Sequence, residues 1–184
     1  SFNDTNSTKE VAGAIQRRGL CGDVYLDGAP AGARMTGVKV DTSVRKGEIT
    51  FDAALQGLDK EGTYALRAQL TQSDGKQVGA FTSPAFKGVE LKDGRRAFTE
   101  KWKAEKLWDL HTPQHVYFLS LSLLDAWAKT LDTALPVRFG FREFWIEGRD
   151  FYLNGSRIFL SAVPLDNAQV GAAWASYEGA KESL

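Results

Sequence analysis

The chain has 184 residues, of which 43% are hydrophobic and 25% charged, and its 23 Lys and Arg balance 23 Asp and Glu to a formal charge of zero. That length holds one domain of ordinary size with extensions, since domains cluster at about 100 to 150 residues, and the composition suits a packed globular core. Charge balance supplies no global field to draw in nucleic acid or an anionic membrane, and no apolar run approaches the roughly 20 residues of a membrane helix, so neither partner is expected.

Residues Ser1 to Arg18 are polar and weakly patterned, and they lack the basic segment followed by an apolar run that marks a signal peptide. An exported or periplasmic parent would carry its signal upstream of Ser1. Cys21 is the sole cysteine, which rules out an intrachain disulfide and with it the Cys…Trp…Cys core of antibody domains. Asn-x-Ser/Thr sequons begin at Asn3, Asn6 and Asn154, a pattern common by chance. Val24-Tyr25-Leu26 is a short β-type run closed by the turn cluster Asp27-Gly28-Ala29-Pro30, which predicts a boundary near residue 28.

Strand and turn signals dominate from there. Val38 and Val40 alternate with Lys39 and Asp41, Arg45-Lys46-Gly47 forms a turn, and Glu48 to Leu55 is the next strand. Tyr64, Leu66, Ala68 and Leu70 fall on one face and Arg67, Gln69 and Thr71 on the other, a period of two that a half-buried strand satisfies. Asp74-Gly75 and Asp93-Gly94 supply residues that tolerate positive φ at tight turns. Leu119, Leu121 and Leu123 alternate with Ser120 and Ser122, and an aromatic-rich strand is predicted from Val137 to Ile146. Seven or so short strands between about 34 and 147, with turns every ten or so residues, predict an immunoglobulin-like antiparallel β-sandwich with no internal helix.

After residue 147 the pattern changes. Phe151-Tyr152-Leu153, the turn pair Asn154-Gly155 and Arg157 to Leu160 predict a hairpin whose second strand runs on through Ser161-Ala162-Val163 and is buried on both faces. Trp174 to Leu184 is helix-compatible, with Ser176 as a candidate N-cap. A strand, a loop and a helix read as the first unit of a (β/α)₈ barrel, a fold of about 250 residues, of which this chain holds a short truncated beginning.

Three segments in order resemble glycoside hydrolase family 2, the group that includes β-galactosidases, β-glucuronidases and β-mannosidases. Gly19-Leu20-Cys21-Gly22-Asp23-Val24-Tyr25-Leu26 is similar to the closing strand of that family's N-terminal sugar-binding sandwich. Trp108, Pro113 and Tyr117, followed by Leu119 and Leu121, resemble its Trp-x-Pro-x-x-Pro-x-Leu-Tyr strand start, with the first Pro replaced. Arg138-Phe139-Gly140-Phe141-Arg142-Glu143, then Phe151-Tyr152-Leu153-Asn154-Gly155-x-x-Ile158-Phe159-Leu160, resembles the passage from sandwich into barrel. The resemblance implies three parts: residues 1–27 as the end of a preceding sugar-binding β-sandwich, 28–147 as an immunoglobulin-like sandwich, and 148–184 as the start of a TIM barrel. It also implies the parent's chemistry, retaining hydrolysis of a β-glycoside by two Glu about 5 Å apart. Both belong to later barrel strands in the family, so no catalytic residue is expected in this chain.

The family's Arg-Gly-Val-Asn-Arg-His after the first barrel strand is replaced here by Ser161-Ala162-Val163-Pro164-Leu165-Asp166-Asn167, which lacks the Arg and His and implies an altered substrate or activity. Asp166 and Asn167, at the C-terminal mouth of that strand, are the positions expected to face substrate in the intact parent, or else to cap the following helix. Trp127, in the Asp125-to-Lys129 hairpin loop, is the tryptophan expected to contact carbohydrate or a neighbouring domain, because a loop tip buries a large ring less easily than a strand does. His111 and His115 are four apart, but Pro113 lies between them and no third ligand is evident, so they read as loop histidines rather than a metal site. Glu143 and Glu147 read as solvated strand-end charges. No Gly-rich phosphate loop or nucleophile elbow is present, so no cofactor is expected. The expected partners are the sugar-binding and barrel domains of the same parent, a carbohydrate, and a second copy of the chain through the truncated barrel segment.

Overall fold

The computed structural model describes Leu26 and residues 28–161. Its strands are β1 (Arg34–Ser43), β2 (Glu48–Gln56), β3 (Thr63–Gln72), β4 (Gln77–Thr82), β5 (Phe86–Lys87), β6 (Arg95–Lys101), β7 (Tyr117–Leu124), β8 (Thr130–Thr133), β9 (Val137–Phe139), β10 (Phe144–Glu147), β11 (Asp150–Leu153) and β12 (Ser156–Ile158). A single 3-10 turn, Gly88–Glu90, interrupts them. All strand pairings are antiparallel: β1-β2-β6 form one sheet, β4-β3-β7-β8 the second, and β10-β11-β12 a third.

The first two sheets face each other as a sandwich. Alternation places Ile49, Phe51, Ala53 and Leu55 of β2 against Tyr64, Leu66, Ala68 and Leu70 of β3 and Leu119, Leu121 and Leu123 of β7 in one buried cluster. The Phe51 ring bridges the layers, 5.0 Å from Phe98 on its own sheet and 5.9 Å from Phe81 on the other. Edge strands are split: β5 pairs with β3 beyond β4, and β9 pairs with β7 beyond β8. At the first break Ser83, buried beside Pro84, keeps the ladder intact, because the Leu66 amide donates to its Oγ at 3.0 Å and its own amide donates to the Leu66 carbonyl at 2.8 Å. Counting each split strand once and β10 with the third sheet leaves seven strands, three facing four, the arrangement of an immunoglobulin-type sandwich. Tyr117 reinforces the type. It opens β7 from a corner, and its hydroxyl both donates to the Lys106 carbonyl and accepts from the Lys106 amide, each at 3.0 Å.

Turn chemistry follows the sequence. Asp93-Gly94 and Asn154-Gly155 hold consecutive positive φ (51° and 70°, 52° and 95°), the geometry of two-residue hairpin turns.

Two expectations change. The strand predicted over 137–146 is two strands in two sheets: β9 belongs to the sandwich, the chain leaves it at Gly140, and β10 pairs with β11. A continuous aromatic run cannot reveal this, because a crossing between sheets shows itself only in hydrogen-bond partners. The second hairpin strand ends at Ile158, and Phe159 and Leu160 are exposed rather than buried on both faces. Ala162 and Val163, the helix expected at 174–184 and the first 25 residues lie outside the described residues.

Candidate functional site

The three-stranded hairpin sheet meets the sandwich at a polar knot centred on Glu143. The β1–β2 turn brings Ser43 and Arg45 to its carboxylate: the Arg45 amide donates to Oε2 at 2.9 Å, the Ser43 hydroxyl to Oε2 at 3.1 Å, and the Arg45 guanidinium to Oε1 through Nε at 2.8 Å and through Nη2. Gly47, at φ 61°, lets that turn close so tightly. The Glu143 side chain is only 13% exposed. Burial by itself pushes its pKa up, but the hydrogen bonds from Arg45 and Ser43 and the Arg45 charge outweigh burial and hold it down at about 2. The same hydrogen bond raises the Arg45 pKa.

The backbone of Glu143 is gripped from the other side by the hairpin turn. Its amide donates to Asn154 Oδ1 at 2.9 Å, its carbonyl accepts from the Asn154 amide at 2.9 Å, and Asn154 Nδ2 donates to the Trp108 carbonyl at 2.7 Å. Asn154 can do this because, as the first residue of the turn, it tolerates a φ of 52°. Trp108 in turn donates its amide to the Phe141 carbonyl at 3.1 Å. Gly140 is required where the chain changes sheets, since a Cβ there would stand 2.5 Å from Trp108 Cβ. Thr42 Oγ1 donates to the Arg142 carbonyl at 2.6 Å. Around this knot Phe141 is fully buried against Trp102, edge-on at 5.2 Å, and the Trp145 ring stacks with Tyr152 at 5.4 Å and meets the Arg45 guanidinium at 4.2 Å.

This arrangement is a joint. A carboxylate held ionised by four donors is a poor proton acceptor and a poor nucleophile, so Glu143 is not placed for acid–base work. Its reading as a solvated charge is corrected, because the β1–β2 turn covers it; Glu147 is exposed, as expected. The Asn154 side-chain amide is engaged through its oxygen by the Glu143 amide and through its nitrogen by the Trp108 carbonyl.

Trp127 stands alone at the β7–β8 turn with 86% of its surface exposed. Its turn is tied down by Asp125, whose Oδ1 accepts from the Trp127 and Lys129 amides at 2.9 Å each, while Ala128 takes the strained φ of 62°. His111 and His115 lie in the loop between β6 and β7; His111 is exposed, and His115 Nδ1 sits 3.1 Å from the Leu107 carbonyl. Among the described residues no group of three or more His, Cys, Asp or Glu could hold a metal ion, and no helix is long and apolar enough to cross a membrane. Asp166 and Asn167 lie outside the described residues. Sequence reasoning missed Ser43, Arg45 and Thr42, which are about 100 positions from their partners and carry no local signal.

No family model matches the chain, and no curated protein does. Among solved structures, the fold is similar to that of a Bacteroides fragilis protein provisionally assigned as a β-galactosidase, at 21% identity and a TM-score of 0.52 over 68% of this chain and 20% of that one. A β-glucuronidase of Bacteroides uniformis aligns at 20% identity and a TM-score of 0.49 over 69% of this chain and 16% of its own, and one of Ruminococcus gnavus at 16% and 0.47 over 70% and 19%. The chain therefore spans about a fifth of the length of the first of these structures, and what it shares with that structure is the fold.

Proposed function

We propose that this chain is a non-catalytic segment of a family 2 glycoside hydrolase, an immunoglobulin-like spacer that holds a sugar-binding domain and a catalytic barrel in register. The observation that carries this reading is the knot. Trp108, Gly140 to Glu143 and Asn154, which belong to segments that carry the family resemblance, meet where the hairpin sheet is fastened to the sandwich. A bidentate ion pair, a glycine at the crossing and a turn that clamps Glu143 on both backbone groups set an orientation rather than perform chemistry. On this reading residues 1–27 end the preceding domain, 28–147 form the spacer and 148–184 begin the barrel, with Asp166 and Asn167 facing substrate. The parent hydrolyses β-glycosidic bonds with Glu residues supplied by later barrel strands.

The test is to assay the parent polypeptide and this chain side by side against aryl β-glycosides. Turnover by the parent and none by the chain is expected. A stably folded parent without turnover, or turnover by the chain alone, would overturn the reading. The exposure of Trp127 favours a second reading, a carbohydrate-binding module. Saturable binding of neutral glycosides by this chain, abolished by Trp127→Ala, would establish it instead.

A further inference from the structure

Beside the knot lies an open cleft of about 510 Å³ whose lining includes Asp41, Trp108, Arg138, Arg142, Glu143 and Phe144. That volume is in the range of small-ligand sites. Its charges are not balanced internally. Asp41 is paired with Lys39 at 2.7 Å and Glu143 with Arg45, whereas neither Arg138 nor Arg142 has a carboxylate partner among the described residues. Each acid of the lining already has a basic partner from outside it, so Arg138 and Arg142 are the lining charges left to receive an anion.

The Arg142 guanidinium is also held in place. It lies over the Trp108 ring at 4.3 Å, and Trp108 is itself fixed by Asn154 and Phe141. A guanidinium over an aromatic ring is attracted through its charge and need not spend its N–H groups there, and a guanidinium fork can receive a carboxylate through two parallel hydrogen bonds. Phe144, 48% exposed, adds an apolar ring surface to the same cleft. Sugar rings pack their C–H faces on aromatic rings, so a cleft with guanidinium donors and an exposed ring matches a ligand that carries both a carboxylate and a pyranose face.

We propose that this cleft binds a sugar acid, a monosaccharide or terminal glycan unit bearing a carboxylate, with Arg142 and Arg138 receiving the carboxylate and Phe144 the ring. It is separate from Trp127 and does not depend on the parent being a hydrolase. The experiment is titration of this chain with glucuronate and galacturonate, against glucose and acetate as controls, followed by backbone and Arg Nε–H NMR shifts. Saturable binding of a uronate is expected, with shifts at Arg138, Arg142 and Phe144, stronger than that of either control and weakened by added salt. Arg142→Ala should weaken it about tenfold or more, the effect of losing a charge-assisted hydrogen-bond pair. Arg142→Lys keeps the charge, leaves the surface polar and should recover only part of the affinity, because an ammonium lacks the fork. Trp127→Ala should leave binding unchanged. Absence of uronate binding, glucose or acetate binding as well as uronate, or shifts clustered at Trp127 would each overturn the proposal, and the salt and control-ligand comparisons decide it on the unaltered chain even if a variant fails to fold.

Discussion

The sandwich and the hairpin sheet are built from similar strands but held by different forces. In the sandwich, Ile49, Phe51, Leu66, Leu70, Leu119, Leu121 and Leu123 are fully buried, and burial of that kind contributes about 1.5 to 3 kcal/mol per side chain. In the hairpin sheet only Leu153 is buried, while Phe144 and Ile146 remain exposed on its apolar face, as do Phe159 and Leu160 beyond its last strand. Three short strands with one buried side chain do not make an independent core. What holds them to the sandwich is directional: the Glu143 carboxylate on Arg45, the Asn154 amide on Glu143 and Trp108, and the Arg45 guanidinium over the Trp145 ring. A region fixed by hydrogen bonds has a defined orientation without much stability of its own.

Four changes break or sharpen that contrast. Leu121→Ala, at the centre of β7, should cost about 3 to 4 kcal/mol through lost burial and a cavity. Chemical denaturation should show the loss with every spectroscopic probe, because the sandwich unfolds as one unit; a loss confined to the hairpin would merge the two regions into one. Gly140→Ala places a methyl group against Trp108 and should cost about 1 to 3 kcal/mol. Tryptophan emission should shift with it, and an unchanged spectrum and stability would mean the crossing has room to spare.

Glu143→Gln should cost about 1 to 2 kcal/mol, discounted because Arg45 is 57% exposed. The loss should appear as faster hydrogen exchange at the amides of Arg45 and Asn154 while β3 and β7 exchange as before. The same contact gives a pH dependence with a definite sign. The folded pKa of about 2 lies below the unfolded value of about 4.3, so the stabilisation is complete above the unfolded value and is lost as pH falls through the window down to about 2. Hydrogen exchange at Asn154 should therefore accelerate, relative to β7, between about pH 4 and pH 2, and in Glu143→Gln that extra acceleration should vanish. Trp127→Ala should move stability by less than about 0.5 kcal/mol, since the ring buries almost nothing; a larger loss would place it in the core economy after all.

Much of the sandwich was legible because its signals are local. The period of two in Tyr64 to Leu70 and Leu119 to Leu123 fixed which face is buried, and Asp93-Gly94 and Asn154-Gly155 announced their turns through residues that accept positive φ. The joint was half legible. Trp108, Glu143 and Asn154 stood out by resemblance, but the first reading of Glu143 as a solvated charge failed, since what shields it comes from Ser43 and Arg45, about 100 residues earlier.

By itself, then, the sequence determined the strands, their inward faces and most turns, because pleat alternation and turn dihedrals depend on residues a few positions apart. Only the tertiary structure decided that the run from Val137 to Ile146 is shared between two sheets, that Arg45 neutralises Glu143, and that Arg138 and Arg142 are left without acidic partners among the described residues. Those outcomes depend on which distant groups the packed sheets bring within about 3 Å, the reach of a hydrogen bond, and no local pattern encodes that distance.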